Sequence, residues 1–300
     1  MSAAPRWHSS GIFCVFALLL NIPLSAGADT LSHIRETQTI TIAHRESSIP
    51  FSYLADGKVP VGYAVDICTK LADAVKKELK LPQLKINYLA VNPSNRIAAI
   101  AEGKADLECG STTNNSERRK QVSFTIPHFF ATTRMLVRSD SGIHNWIDLK
   151  DKKVAITRGT TTVKLLNDRD KVRSLNLRFI EGADHAESFG MVEKFEADAF
   201  AMDDVLLYGF RANAKNPEKF AVVGDPLSTE AYAMMLRKDD PAFKELIDKE
   251  MGRLMTEGEI ARLYDKWFKK AIPPRGANLN MPMGMLLRDN LRFPSDKVAD

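Results

Sequence analysis

The chain has 300 residues, with 42 Lys and Arg against 38 Asp and Glu, a formal net charge of +4 and three cysteines. The positive excess is small and spread out, its densest cluster being Arg118-Arg119-Lys120, so a nucleic-acid partner is not expected. So few cysteines exclude a disulfide-stapled small fold, and no Cys-x-x-Cys or His-x-x-x-His spacing suggests a metal.

Residues 1–28 read as a secretory signal: Arg6 charges the n-region, residues 11–20 form a short apolar core, and Ala26-Gly27-Ala28 is a cleavage pattern. The apolar run is shorter than the roughly 20 residues of a membrane span. Cys14 lies inside it after Phe13, not after the small residues that a lipoprotein signal needs. The expected product is a soluble exported protein, periplasmic in a Gram-negative source, with a net charge of +3 (41 minus 38) once Arg6 is removed. No later segment is apolar enough to cross a bilayer, and a length of about 270 residues favours two lobes over one. The remaining cysteines, Cys68 and Cys109, are compatible with a disulfide in an oxidising compartment and equally with free burial.

From residue 39 onward strands and helices alternate. Residues 39–43 are β-rich, Ile67, Leu71, Ala74 and Val75 share one helical face, and Leu84, Ile86 and Tyr88 alternate with the period of a strand. Ser94 is placed to cap a helix carrying Ile97, Ile100 and Ala101, which stops at Gly103. A second unit is expected from about Trp146, with strands at residues 153–157, 177–180 and 199–202. Helices in that unit start at Thr161 and cover residues 184–195 and 203–211. Asp240-Pro241 opens a helix bearing Phe243, Leu246, Ile247, Leu254 and Met255 that ends at Gly258. A further helix holds Ile260, Leu263 and Trp267 in register until Pro273-Pro274, and the weak pattern beyond Gly276 predicts a segment wrapping the surface. This βαβ rhythm predicts an α/β architecture with open sheets.

The most informative stretch is residues 108–118, Glu-Cys-Gly-Ser-Thr-Thr-Asn-Asn-Ser-Glu-Arg. A strand that ends in a glycine turn and enters a helix leaves backbone N–H groups pointing one way. Ser111, Thr113 and the guanidinium of Arg118 turn that end into a socket for a carboxylate or phosphate. The Gly-x-x-x-x-Gly-Lys spacing of a nucleotide loop is missing, which favours a small carboxylate. Gly159-Thr160-Thr161-Thr162 repeats the arrangement between another strand and helix, so two polar jaws facing a common cleft are expected. Each piece also has a plainer reading. Hydroxyl-rich turns mostly cap helices, single arginines mostly form surface ion pairs, and Asp203-Asp204 equally suits a helix N-terminus. A lone His185 at a helix start is ordinarily exposed or capping, and Asn114 and Asn115 suit the ordering of a turn.

Taken in order, the motifs resemble the bacterial periplasmic solute-binding proteins for amino acids, of the glutamate/aspartate ABC-transporter type. The resemblance rests on residues 44–52 (His-Arg-Glu-Ser-Ser-Ile-Pro-Phe-Ser), Asn95-Arg96-Ile97, residues 108–118 and Gly159-Thr160-Thr161. It continues through residues 185–189 (His-Ala-Glu-Ser-Phe), Asp203-Asp204, residues 236–241 (Leu-Arg-Lys-Asp-Asp-Pro) and Trp267-Phe268-Lys269. It implies a two-lobed type II periplasmic-binding-protein fold, two open sheets joined by two hinge strands. Lobe 1 would be residues 29–132 with 232–300, lobe 2 residues 133–231, and the hinge strands residues 133–138 and 231–237. It further implies that Arg118 grips an α-carboxylate with Ser111, Thr113 and Thr161, that Asp203 takes the α-ammonium, and that Arg45, Arg96 and His185 surround a side-chain carboxylate. One departure stands out: the family's serine two places before Asn95 is here Pro93, with Ser94 beside it as the substitute hydroxyl. The implied partners are L-glutamate or L-aspartate and the permease of an ABC importer; no cofactor is implied, and the chain is expected as a monomer. The competing expectations are an enzyme on the same fold, using Glu46, His185 and Asp203 as acid and base on a small carboxylate, and a ligand-sensing subunit. No Gly-x-Ser-x-Gly elbow surrounds Ser111, which argues against a serine nucleophile.

Overall fold

The computed structural model describes residues 1–4 and 29–298; beyond its first four residues, the signal segment read from the sequence lies outside the described residues. The β-branched residues of Thr39–His44 form the centre of a first sheet, with Ile40 and Ile42 fully buried. Its parallel neighbours are Lys85–Ala90 on one side and Leu107–Cys109 on the other. Parallel pairing requires a crossover. The Tyr63–Glu78 helix supplies the first one, burying Ile67, Leu71 and Val75 along one face. Met235–Arg237 then enters antiparallel beside Leu107–Cys109, and Val122–Phe124 closes the edge.

The second sheet repeats the plan. Lys153–Thr157 lies parallel between Arg178–Gly182 and Ala199–Asp203, and Thr133–Arg138 and Phe220–Val223 complete it in antiparallel pairing. The expected architecture of two open α/β sheets is therefore present. The second unit begins earlier than Trp146, however, because its sheet already includes Thr133–Arg138.

The hinge strands need correction. The sheets are connected by Phe129–Ala131 and Glu230–Tyr232, which pair antiparallel with Ala131 opposite Glu230 and Phe129 opposite Tyr232. Residues 133–138 lie inside the second sheet, and residues 231–237 divide between the connecting pair and Met235–Arg237 of the first sheet. Strand composition does not reveal which neighbour a strand will take. The consecutive burial of Met135, Leu136 and Val137 is the mark of an interior strand covered on both faces.

Cys68 and Cys109, left open by the sequence, are joined by a disulfide. It ties the Tyr63–Glu78 helix to the last residue of the Leu107–Cys109 strand, immediately before Gly110. Closing a loop with a separation of 41 residues restricts the unfolded chain, by up to about 4 kcal/mol on loop-entropy grounds. The segment past Gly276 does more than wrap the surface. It contains the Met285–Arg292 helix, which buries Leu287 and packs by the Phe129–Ala131 connection, with Asn290 Nδ2 donating to the Pro127 carbonyl at 2.8 Å.

His128, just before that connection, is fully buried against Phe51, Tyr63 and Tyr232, and neither ring nitrogen has a hydrogen-bond partner. Burial pushes its imidazole down to about 3. The native state thus holds a neutral ring where the unfolded chain holds a proton below about pH 6.5. Its stabilising effect is complete above that value and is lost as the pH falls, by ~1.4 kcal/mol per pH unit down to the native value. Urea unfolding of His128→Phe between about pH 4 and pH 7 should show a shallower loss of stability towards acid than the wild type, by roughly that slope; equal slopes would refute this assignment.

Candidate functional site

The candidate residues gather because nearly all follow the carboxyl ends of parallel strands, where open α/β sheets place their ligand crevices. Arg45 directly follows Thr39–His44, and Gly110 directly follows Leu107–Cys109. Arg96 opens the Arg96–Ala101 helix, after the Lys85–Ala90 strand. In the second sheet Thr161 lies just beyond Lys153–Thr157, His185 just beyond Arg178–Gly182, and Asp203 ends Ala199–Asp203.

On the first-lobe side Arg45, Arg96 and Arg118 are all buried. Both terminal nitrogens of Arg45 and Nε of Arg96 lack a hydrogen-bond partner, as does the Ser111 hydroxyl. Burial, and then the nearby Arg96 charge, lowers Arg45 and Arg118 each to about 9. They stay charged at neutral pH but gain strongly from an anion. Arg118 is aimed by its surroundings. Asn115 caps the Ser116–Arg119 helix by accepting from the Arg118 N–H at 3.0 Å, Arg118 Nη1 donates to the Thr113 carbonyl at 2.9 Å, and Nη2 reaches the Gly159 carbonyl across the cleft at 3.4 Å. Asn114 and Asn115 therefore do order the turn, the former accepting from Arg119 Nη1 at 2.9 Å.

The two hydroxyl jaws meet on one atom. Thr113 Oγ1 donates to Glu230 Oε2 at 2.7 Å, and Thr161 Oγ1 donates to the same oxygen at 3.0 Å, while Ser228 Oγ holds Oε1 at 2.7 Å. Glu230 stands on a connecting strand, so a carboxylate at the hinge joins both jaws. On the second-lobe side Asp203 accepts from the Tyr232 hydroxyl and, at 3.5 Å, from Thr133 Oγ1. Burial and then Glu230 push its carboxyl well above the usual range, so a cation placed beside it would restore the charged form. The neighbouring Asp204, in the first turn of the helix, performs the helix-start role instead by accepting from the Val205 N–H at 2.8 Å, and it also accepts from the backbone and hydroxyl of Thr132 at 3.1 and 2.9 Å. His185 is buried, its Nδ1 lying 3.0 Å from Thr157 Oγ1, which in turn meets Ser188 Oγ at 2.9 Å. Burial, followed by Arg45 and Arg96, holds its imidazole well below the ordinary value and therefore neutral.

Ser94 differs from the other expected site residues in its surroundings, although its Cα borders Gly159 across the cleft. It is exposed, and it does not cap the following helix, whose N-cap is Asn95 without a side-chain cap bond. The cause is local. Asn92 Oδ1 accepts from the N–H groups of Ser94 and Asn95 at 2.9 and 3.1 Å, and Asn92 N–H donates to Asn95 Oδ1 at 2.8 Å. This turn fixes the segment and turns Ser94 to solvent. Sequence reasoning also missed Glu230, Tyr232 and Glu108. For the first two no local pattern signals a role; for Glu108, a lone acid in the fully buried strand Leu107–Cys109 was a readable sign.

Among the described residues no hydrogen bond links Ser111, His185 and Asp203, and Glu46 is exposed. A groove of about 820 Å³ between the Tyr63–Glu78 and Pro241–Thr256 helices shares no residue with the cleft and is walled mostly by charged side chains such as Lys70, Lys77 and Lys249.

Close packing of the lobes depends on two glycines. A Cβ on Gly159 would lie 2.6 Å from the Pro93 carbonyl oxygen, and one on Gly209 would lie 2.4 Å from that of Ile49. Each pair joins a second-sheet element to a first-sheet loop. Pro93, the departure from the expected pattern, thus serves through its backbone as a closing contact.

Two open α/β sheets, a paired-strand connection and a charged cleft between them define a clamp-type ligand-binding protein of the type II periplasmic-binding-protein fold. Residues 40–270 match the pattern of the bacterial extracellular solute-binding proteins, family 3, and the chain belongs to that family. It is 45% identical over 304 residues to the L-glutamate/L-aspartate-binding protein of Pseudomonas aeruginosa, covering 100% of this chain and 99% of that one. It is 43% identical over 275 residues to the glutamate/aspartate import solute-binding protein of Escherichia coli K12, covering 92% and 91%. Among solved structures it resembles an ancestral amino acid-binding protein, a precursor of cyclohexadienyl dehydratase, with 27% identity, a TM-score of 0.69 and coverage of 80% and 100%.

Gly209 lies within the Asp204–Asn213 helix, where alanine would favour the helix by up to about 1 kcal/mol. The contact with Ile49 joins a helix of the second lobe to a loop of the first, so it would act only when the lobes are together. Gly209→Ala should keep or raise the unliganded melting temperature while weakening ligand affinity about tenfold or more, as read by calorimetry; unchanged affinity would mean that this contact does not limit closure.

Proposed function

We propose that this protein captures L-glutamate or L-aspartate by closing its two lobes and presents the shut form, in a bacterial periplasm, to the permease of an ABC importer. The lobes that move are residues 29–132 with 232–300, and residues 133–231, turning about Phe129–Ala131 and Glu230–Tyr232. The observation that carries the reading is the burial of three guanidinium groups around one cleft, with unpartnered nitrogens on two of them. Such groups are stable only beside anions. An acidic amino acid offers two carboxylates at opposite ends, and the planar guanidinium fork fits each.

In this reading Arg118 holds the α-carboxylate with Ser111, Thr113 and Thr161, while Asp203 receives the α-ammonium. Arg45, Arg96 and the neutral His185 surround the side-chain carboxylate. Three or four charge-assisted pairs at ~1.5–3 kcal/mol each reach the ~8 kcal/mol of a micromolar complex, less the ordering and closure terms. The names of the relatives point the same way: both curated relatives are named for glutamate and aspartate. The protein acts as a monomer that binds its ligand without transforming it. Among the described residues no helix is long and apolar enough to cross a membrane.

Calorimetry on the mature chain should show micromolar or tighter binding of L-glutamate or L-aspartate, with the ligand recovered unchanged by NMR after incubation. No heat and no melting shift with either amino acid would refute the reading. Arg96→Ala and Arg118→Ala should each lose ~2–5 kcal/mol of binding free energy, because a ligand charge is left buried without its partner; near-native binding by both would mean that the site lies elsewhere.

A further inference from the structure

Glu108 is fully buried in the Leu107–Cys109 strand, and the ligand reading gives it no contact. Its partners across the sheet are the apolar Ala43 and Met235. The carboxyl is folded beneath the Gly110 turn: a Cβ on Gly110 would stand 2.5 Å from Oε1 and 2.9 Å from Arg45 Cγ. Glycine is therefore needed there to make room for both side chains. Neither carboxyl oxygen has a hydrogen-bond partner, and neither do both terminal nitrogens of Arg45. The charged groups that face it are Arg96 from its helix, Arg45 from the loop after Thr39–His44 and Arg118 from its short helix, with the Thr112 hydroxyl from its own loop. Burial raises the carboxyl above its usual range, and Arg96 and then Arg45 oppose that rise.

The charges buried in the cleft cancel when all are ionised: Arg45, Arg96 and Arg118 against Glu108, Asp203 and Glu230. An acidic amino acid carries a net charge of −1. Enclosing it adds one uncompensated negative charge to a site shut off from water, which is strongly unfavourable. Of the three carboxyls, Asp203 faces the incoming ammonium, and Glu230 has its oxygens occupied by three hydroxyl donors. Glu108 faces only the Thr112 hydroxyl, and it must share Arg45 and Arg96 with the arriving side-chain carboxylate. His185 is the other candidate acceptor, but an imidazolium there would stand against Arg45 and Arg96 and alter the contact with Thr157.

We propose that Glu108 takes up one proton from solvent when the lobes close on an acidic amino acid, so that recognition of the second carboxylate is proton-coupled. The carboxylate becomes a carboxylic acid and no other bond changes. Because Glu108 holds one proton more in the complex than in the free protein, its contribution lowers the affinity as the pH rises, by up to about tenfold per pH unit where uptake is complete. An amide ligand brings no extra charge and draws no proton, so preference for the acidic ligand over its amide increases towards acid. The inference rests on the acidic-amino-acid reading of the site.

The test is calorimetry of the full mature chain with L-glutamate in buffers of different ionisation enthalpy, at about pH 6 and about pH 7, which counts the protons exchanged. The wild type should take up close to one proton more than Glu108→Gln, because any proton that Asp203 gives up to the arriving ammonium is common to both, and the affinity of Glu108→Gln should fall less steeply as the pH rises. L-glutamate binding with the same proton count in the wild type and in Glu108→Gln would overturn the proposal and point to His185. If Glu108→Gln does not fold, wild type labelled with 13Cδ-glutamate serves instead. Adding unlabelled L-aspartate should move one buried carboxyl resonance to its protonated position, and no such shift refutes the inference. Absence of any L-glutamate or L-aspartate binding would remove the acidic-ligand reading itself, and this inference with it.

Discussion

Three guanidinium groups and three carboxylates are buried in one cleft, and neither set could be there without the other. An isolated buried ion is unfavourable by several kcal/mol even after relaxation, so these six groups must be organised together by the two sheets. Organisation is incomplete by design. Arg45 and Glu108 keep unpartnered polar atoms while Glu230 and Arg118 are well engaged. A cleft whose charges were all mutually satisfied would have nothing left to offer a ligand. In the proposed reading the residual demand sits at the end where the second carboxylate of an acidic amino acid would lie, and this would make the cleft selective.

The scaffold serves that cluster. Both sheets present the carboxyl ends of their parallel strands to the same space, so loops and helix starts from each converge there. The Cys68–Cys109 disulfide holds the base of the Gly110 turn, and Glu230 on a connecting strand collects hydroxyls from both jaws. Gly159 and Gly209 let the two backbones approach to contact distance. Hinge, jaws and closing contacts are thus mechanically continuous with the charged cluster, which is the condition for turning ligand capture into a change of shape.

Much of this was legible one-dimensionally. The Lys153–Thr157 strand and the starts of the Thr161–Arg173, His185–Glu193 and Pro241–Thr256 helices fall where periodicity and caps put them, because those signals are local. The placing of Ser111, Thr113 and Arg118 about one turn was readable for the same reason. Errors arose where partner choice decided the outcome. Residues 133–138 carry the composition of any strand, and only pairing with Ala199–Asp203 and Phe220–Val223 makes them part of a sheet rather than a hinge. Ser94 looked like a cap until the side chains of Asn92 and Asn95 closed their own turn around it. Glu230 carries no local signal of a role, since two of its three hydroxyl partners lie 117 and 69 residues away.

The sequence by itself determined the alternation of strand and helix, the two hydroxyl turns, and the arginines in ordered motifs that resemble one family. These follow from properties of a residue and its near neighbours: period, capping and charge. Tertiary structure alone decided which strands join the lobes, that Cys68 meets Cys109, and that Glu108 lies unpartnered among Arg45, Arg96 and Arg118. Those outcomes depend on distance through space, and on the free energy of a charge shut away from water, neither of which is written in the order of residues along the chain.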